Sequence, residues 1–392
     1  MWYVRFDNLL PFLLLFLLVF DLHLIGGFGS AIITFLVCFL IILMNPSKYI
    51  VNANKILNFF FLFLVSYIFL LSYVAFRVLL NGIAEVSFLL TMSKATLILL
   101  ATLCYLIVFY NSDLKKNLIN IFFFNACICL VFGTFSEYKT LLSLFQYGGD
   151  SVELIGNNEY RNAFLAGSGY FGMSSLYGLV FAVVLKIIID DKNHNFFKLL
   201  VIALAGLFSG RVALICYLMA ILYYIFLKLN LRVSLFSLFS LFIFIFILNF
   251  FPVFDDVKYW LSEMFVDNDL SQSESFSQFS ETFSLPSSEL TLLFGDGLYG
   301  NSEKYYGGSD SGYIRNIYFG GLFYLIFLLG AFFLISYNVR KILYIYVLIF
   351  ISLFLHLKGV FIFNNPGFFG VFLTSCIILF KDRNDFNLVG KF

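Results

Sequence analysis

The sequence predicts an all-α, polytopic integral membrane protein, and three observations predict it. Of its 392 residues 61% are hydrophobic and only 12% are charged, against about 25% charged in soluble globular proteins. Phe contributes 56 residues and Pro only 5, which suits apolar helices and not a disordered or Pro-rich chain. Apolar stretches near spanning length also recur from end to end. A helix rises about 1.5 Å per residue, so about 20 apolar residues cross a hydrocarbon core about 30 Å thick.

About twelve such stretches can be placed. They run from Leu9 to Ile25, Gly27 to Met44, Ile56 to Leu80, Ala95 to Tyr110, Leu118 to Phe135, Ala163 to Ile189, Phe196 to Leu207, Val212 to Leu227, Val233 to Phe251, Ile314 to Ser336, Ile342 to Leu355 and Gly359 to Phe380. Charge gives an independent check, because cytoplasmic loops carry the excess of Lys and Arg. With the N-terminus inside, 15 of the 24 Lys and Arg residues fall in cytoplasmic segments, which predicts both termini cytoplasmic. The expected organisation is a single polytopic domain over 1–392.

One segment departs from this pattern. Residues 252–313 hold eleven Asp and Glu against Lys258 and Lys304, a net charge of about −9 inside a chain whose total is +1. This is the expected large extracytoplasmic loop, between spans nine and ten. Its Ser-rich centre, SQSESFSQFSETFS, reads as a flexible tip, and DDVKYWLSEMF before it reads as an amphipathic surface helix. The near-neutral total offers no electrostatic basis for nucleic-acid binding. All six Cys lie inside expected spans and none in the loop, so neither a disulfide framework nor a Cys-based metal site is expected.

Charges at span ends are costly and tend to mark function. Of the nine cations on the expected outer side four stand out: Arg161, Arg211, Arg315 and Lys358. Each can be read as an interfacial side chain snorkelling to headgroups. Arg211 is the strongest candidate for a site, because in LFSGRVALICYL it opens a helix after a very short connection. A guanidinium beside first-turn N–H groups suits an anion such as a phosphate. The densest constellation is Leu292 to Gly330, where Gly295, Gly297 and Gly300 have G-x-G-x-x-G spacing. No strand-turn-helix unit surrounds it, so close backbone approach or a tight turn is expected in place of nucleotide binding. Asp310 lies five residues before Arg315, where pairing with an arginine or a bound sugar hydroxyl would offset the cost of a carboxylate near lipid. Tyr299, Tyr305, Tyr306, Tyr313 and Tyr318 cluster near it and can be read either as membrane-interface aromatics or as faces that stack on sugars. His356, near Lys358, can be read as a proton carrier, although a structural role at a span end is favoured.

In these residues the chain resembles the bacterial O-antigen polymerase and ligase superfamily of polytopic glycosyltransferases. The resemblance lies in the order of YRNAFLAGSGYFG, the SGR segment, and a large outer loop ending in FGDGLYG and SDSGYIRNIYFGGL. It implies a GT-C-like membrane glycosyltransferase acting without metal or cofactor at the periplasmic face of the bacterial inner membrane. The implied substrates are undecaprenyl-pyrophosphate-linked glycans, with a chain-length regulator as an implied partner. Arginines that grip the pyrophosphate map best to Arg211 and next to Arg161 and Arg315, with Lys358, His356 and Tyr313 as further substrate contacts. Asp310 is the candidate general base for the acceptor hydroxyl, with a purely structural role, closing the re-entry turn through Ser309 or Arg315, as an equal alternative. The family's ligases carry a histidine in or near the large loop. That loop has none here, since His23, His194 and His356 lie elsewhere, so a polymerase is expected ahead of a ligase. A flippase for the same lipid-linked material is the remaining alternative.

Overall fold

The computed structural model describes residues 6–24, 29–81, 86–133, 144–145, 165–191, 195–227, 284–299 and 309–389. Among them every regular element is helical, with one isolated bridge between His23 and Gly29. In chain order the α-helices are α1 (Phe6–Phe20), α2 (Ala31–Met44), α3 (Pro46–Asn81), α4 (Val86–Val108), α5 (Leu114–Gly133), α6 (Tyr170–Asp190), α7 (Phe196–Ser209), α8 (Val212–Leu222), α9 (Glu289–Phe294), α10 (Gly312–Ile335), α11 (Tyr344–Lys358) and α12 (Pro366–Val389). A π-turn over Tyr223–Leu227 prolongs α8.

Among the described residues five helices are long and apolar enough to cross a membrane: Pro46–Leu80, Phe88–Val108, Leu114–Phe132, Tyr170–Asp190 and Gly312–Ile335. The helices Leu9–Phe20, Ala31–Met44, Phe196–Ser209, Val212–Phe226 and Tyr344–Lys358 are also apolar but run only 10–17 residues. That is about 15–26 Å, less than a hydrocarbon core of about 30 Å. Hydropathy overestimates these lengths because apolar residues continue into the turns. The first expected stretch runs to Ile25, yet α1 stops at Phe20. There Asp21 takes φ 40 and its carboxylate accepts the Ala31 N–H at 3.0 Å, capping α2. The sixth expected stretch begins at Ala163, whereas α6 begins at Tyr170 after Gly169. The expected span Val233 to Phe251, the surface helix DDVKYWLSEMF and the Ser-rich tip up to residue 283 lie outside the described residues.

The chain forms two compact units, residues 1–34 with 111–268 and residues 35–110 with 269–392. In the first unit α6 is the central element, buried along most of its length. Small residues Ser174, Gly178 and Ala182 recur every fourth position, a stripe that lets helix backbones approach closely. A Cβ on Gly178 would lie 2.8 Å from Cys216 Cβ, and one on Gly210 would lie 2.8 Å from Ser174 Oγ. The stripe therefore receives α8 and the turn before it. All six Cys are free thiols, and Cys216 serves here as a small packing residue. The fully buried Asn125 is satisfied within the same unit: its amide donates to the Leu165 carbonyl at 2.8 Å, and its Oδ1 accepts the Tyr177 hydroxyl at 2.7 Å.

In the second unit α10 packs on α3, α9 and α11. It is broken at Gly321, whose φ 71 and ψ −173 no helix accommodates. The segment after α9 lies against this break. Asp296 N–H donates to the Tyr318 carbonyl and Gly297 N–H to the Phe319 carbonyl, both at 2.8 Å, and the Tyr73 hydroxyl donates to the Gly320 carbonyl at 3.0 Å. A Cβ on Gly295 would meet the Phe319 and Gly320 backbone at 2.5 Å, and one on Gly321 would meet the Leu293 carbonyl oxygen at 2.1 Å. The glycines thus serve close backbone approach, as expected from their spacing.

Gly321→Ala is expected to prevent accumulation of folded protein, because both the dihedral and the contact exclude a methyl group. Gly330→Ala, in the same helix with nothing within 4 Å of its Cβ position, is expected to be neutral or stabilising by about 0.5–1 kcal/mol. Size-exclusion profiles and thermal melts of the two detergent-solubilised variants check the contrast.

Candidate functional site

The expected site residues fall in both units. Arg161 lies outside the described residues. Arg211, in the first unit, occupies the N-cap position of α8. Only Gly210 and Arg211 separate α7 from α8. The Gly210 N–H closes on the Gly206 carbonyl at 3.0 Å, and the approach of Gly210 to Ser174 fixes the turn to α6. Arg211 is half-buried and stands at the positive N-terminal end of α8, where the Ala213 and Leu214 N–H groups turn back to the Gly210 and Arg211 carbonyls at 3.2 and 3.1 Å. A cation and a positive helix end therefore coincide at Arg211.

The second unit gathers Tyr313, Arg315 and His356 at the head of α10. Arg315 lies over the Tyr299 ring, 4.2 Å from its centroid. The Phe88 ring stacks on the same tyrosine with a centroid distance of 4.0 Å and an interplanar angle of 28°. A cation and an aromatic ring thus occupy Tyr299, which leaves it a packing residue and not a platform for a sugar. Its hydroxyl accepts from Asn364 Nδ2 at 3.2 Å. The Tyr313 hydroxyl donates to the Leu353 carbonyl at 3.0 Å, and its ring meets His356 edge-on at 4.9 Å. Arg77, which the sequence reading did not single out, donates to the Gly295 carbonyl at 2.7 Å. Tyr305 and Tyr306 lie outside the described residues.

Asp310 departs from the expected pairing. It is exposed and makes no ion pair with Arg315 among the described residues. The turn into α10 is closed by its neighbour, since the buried Ser309 Oγ accepts the Ser311 N–H at 3.1 Å. No protein group covers the carboxylate, so burial inside the protein does not demand a partner for it. Lys358 is exposed at the last position of α11, where a cation suits the negative helix end. Among the described residues no group of three His, Cys, Asp or Glu side chains converges as a metal site.

His356 is fully buried, and its hydrogen bonds fix its tautomer. Nδ1 accepts the backbone N–H groups of both Phe361 and Ile362, each at 3.2 Å. That nitrogen carries no proton, so the ring proton sits on Nε2, 3.0 Å from the side-chain amide of Asn316. Two donors cannot face each other, and the amide must present its oxygen to Nε2–H. The Asn316 NH2 then occupies the other amide position, which is buried and has no protein partner. The ring also lies flat against Gly312, where a Cβ would come within 2.5–2.8 Å of Cε1, Nδ1 and Nε2. His356 therefore fastens α10 to the turn after α11, in keeping with the structural role favoured from sequence.

That turn contains Phe363, a bulky residue with φ 65. Such a conformation costs about 1–3 kcal/mol and persists only where packing imposes it. Phe363 is buried, stacks on Phe369 at 5.5 Å and meets the Tyr67 edge at the same distance. The strained residue directs the next one, Asn364, to Tyr299.

In comparisons with protein-family models, curated proteins and solved structures, nothing matches this chain.

Nitrogen-15 NMR of histidine-labelled protein is expected to show His356 with its proton on Nε2 and none on Nδ1, and a doubly protonated ring would contradict the network. Gly312→Ala drives a methyl into that ring and is expected to cost at least about 2 kcal/mol, read as a lowered melting temperature against wild type.

Proposed function

We propose that the chain is a membrane glycosyltransferase that joins lipid-linked oligosaccharide repeat units, an O-antigen or surface-polysaccharide polymerase of the bacterial inner membrane. In this reading both termini are cytoplasmic and the acidic segment 252–313 faces the periplasm. The observation that carries it is Arg211 at the start of α8, half-buried, with its turn held to α6 by Gly210 and Ser174. Breaking a glycosyl-pyrophosphate bond builds negative charge on the leaving group, and a fixed guanidinium at a helix start stabilises that charge as it develops. Arginine suits this role better than lysine because its planar fork binds two phosphate oxygens at once.

The acceptor hydroxyl must lose a proton as it attacks the anomeric carbon. The exposed carboxylate of Asp310 is accessible to such a hydroxyl and would serve as general base. Arg161, Arg315, Lys358 and Tyr313 remain assigned to the substrate side of this proposal. His356 bears on the choice between polymerase and ligase. Its one lone pair is taken by two backbone N–H groups, so it is not placed to accept a proton from an acceptor sugar. That supports polymerase over a histidine-dependent ligase.

Arg211→Ala is expected to abolish polymer, with a loss of about 10²–10³-fold, while the protein level in the membrane stays unchanged. Arg211→Lys is expected to restore little. Normal polymer in Arg211→Ala cells would end the pyrophosphate role. Asp310→Asn is expected to slow polymerisation by about 10²-fold or more, and full activity would remove it as the base. Deleting the gene and analysing the glycan separates the classes. Single repeat units on the final acceptor identify a polymerase, polymer stranded on the carrier lipid a ligase, and lipid-linked units held on the cytoplasmic side a flippase.

A further inference from the structure

The charges of the second unit are sorted by end. Glu289, Asp296 and Asp310 lie with α9 and the head of α10. Five cations lie at the other end: Lys48 and Lys55 on the first three turns of α3, Arg340 and Lys341 in the turn between α10 and α11, and Lys381 on α12. Contacts join them into one surface. Lys55 Nζ is 5.6 Å from the centroid of the Tyr110 ring, just beyond α4, and Lys381 Nζ is 4.3 Å from the same centroid. Lys381 also donates to the Tyr110 carbonyl. Two ammonium groups thus share one ring. Asn52 lies one turn from both Lys48 and Lys55 on the same face of α3. It donates to the Ile107 carbonyl at 3.2 Å, which turns that face to the end of α4. Phe59, one turn beyond Lys55, meets the ring of Phe380, the neighbour of Lys381, at 5.0 Å. The Phe59 carbonyl accepts the side-chain amide of Asn338, two residues before Arg340.

Charge, depth and ring contacts select the ligand. Lys48, Lys55, Arg340 and Lys341 are exposed, and none of the four enters an ion pair among the described residues. Of the second unit's described side chains at this end, Asp382 alone is acidic. Asp113, which follows in the first unit, caps α5 by accepting the Lys116 N–H at 3.0 Å. The surface therefore carries a surplus of positive charge. Its depth follows from α3, whose 36 residues span about 54 Å against a hydrocarbon core of about 30 Å. The apolar run of that helix begins at Ile56, so the turns holding Lys48 and Lys55 stand among the headgroups. Rings lie under the cations, as suits an interface, with Arg340 Cζ 3.8 Å from the Tyr337 centroid. Two like charges on the Tyr110 ring repel each other, and a phosphate shared between them attracts both. A zwitterionic headgroup would bring an ammonium that these cations repel. We propose that the ends of α3, α4 and α12 around Tyr110 form a binding site for the phosphate headgroup of an anionic phospholipid. Lys55 and Lys381 hold the phosphate, and Lys48, Arg340 and Lys341 flank it. The sequence assigns all five to the cytoplasmic side, so the lipid belongs to the cytoplasmic leaflet in the topology proposed above. The site does not depend on the glycosyltransferase reading.

The test uses the full chain purified in a neutral detergent and titrated separately with phosphatidylglycerol and with phosphatidylcholine. Native mass spectrometry counts the bound lipids and gives the affinity of each. Wild type is expected to bind one phosphatidylglycerol at least about tenfold more tightly than phosphatidylcholine, since each cation near an anionic headgroup contributes about fivefold. Lys55→Gln is expected to weaken that first phosphatidylglycerol about fivefold and to leave phosphatidylcholine binding unchanged. Lys55→Gln combined with Lys381→Gln is expected to abolish the preference. Lys55 makes no hydrogen bond among the described residues, so Lys55→Gln is expected to melt with wild type in lipid-free detergent. It decides the question alone if the double variant, which also loses the bond to the Tyr110 carbonyl, fails to fold. Unchanged phosphatidylglycerol affinity in Lys55→Gln overturns the site and leaves the lysines as caps of the negative C-terminal end of α4. Equal affinity of wild type for the two lipids overturns it as well. Release of bound phosphatidylglycerol by inorganic phosphate, where sodium chloride of equal ionic strength releases none, would assign the site to a soluble anion and overturn the lipid.

Discussion

A backbone polar group away from water must find a partner inside the protein or cost several kcal/mol. The second unit is arranged around one place where a helix cannot supply its own. At Gly321 the chain leaves helical geometry inside α10, and the carbonyls of Tyr318, Phe319 and Gly320 are met from outside the helix by the N–H groups of Asp296 and Gly297 and by the Tyr73 hydroxyl. That requirement fixes the segment from α9 to Tyr299 against α10. Glycine is needed on both sides because peptide must touch peptide. With the segment fixed, Arg77 reaches the Gly295 carbonyl and Tyr299 comes to lie between Phe88 and Arg315. The end of the acidic segment is therefore held by the same bonds that repair the broken helix.

The first unit meets the constraint with small residues and a buried polar group. The Ser174 and Gly178 stripe on α6 lets α8 approach until only small atoms separate the helices, and close contact replaces a hydrophobic driving force that lipid would not provide. Asn125 is affordable in that interior because Leu165, Tyr177 and Cys129 all bond to it. One consequence is that Arg211 has little freedom. It follows a glycine pressed against α6 and precedes a helix pressed against the same face, so its guanidinium is carried by a rigid turn.

The fold class was legible because apolar composition and helical span length are properties of the chain itself. Helix ends were less so. Asp21 and Gly169 end or delay helices inside stretches that read as continuously apolar, because a turn between membrane helices can be as apolar as the helices. In the site, Arg211 was legible from a charge at a helix start, and the glycines of 295–321 from their spacing. For Asp310 the structure bears on one alternative only: it makes no ion pair with Arg315 among the described residues, and the local turn is closed by Ser309, which leaves the carboxylate exposed. Of the two readings open for Tyr299, interface aromatic or sugar platform, a sequence cannot choose, because it does not show that a ring's faces are already occupied. Asn316 carried a usable signal that went unread, since an amide inside an apolar helix is costly and seldom idle. Asn364 carried none, because its placement depends on the left-handed turn at Phe363, which packing imposes and no propensity announces.

The two kinds of polar group in the second unit are treated oppositely. Around the break in α10 the backbone carbonyls have partners at 2.8–3.0 Å, as the apolar surroundings demand. Side-chain atoms of Ser311, Asn316 and Asn364, one to three turns away or across the Tyr299 contact, do not. The three backbone carbonyls at the break are the groups that an apolar interior obliges to pair. The strained backbone of Phe363 and the non-helical Gly321 persist because the structure around them compensates, and the compensation is the bonded frame of α10, the 295–297 segment and the His356 turn.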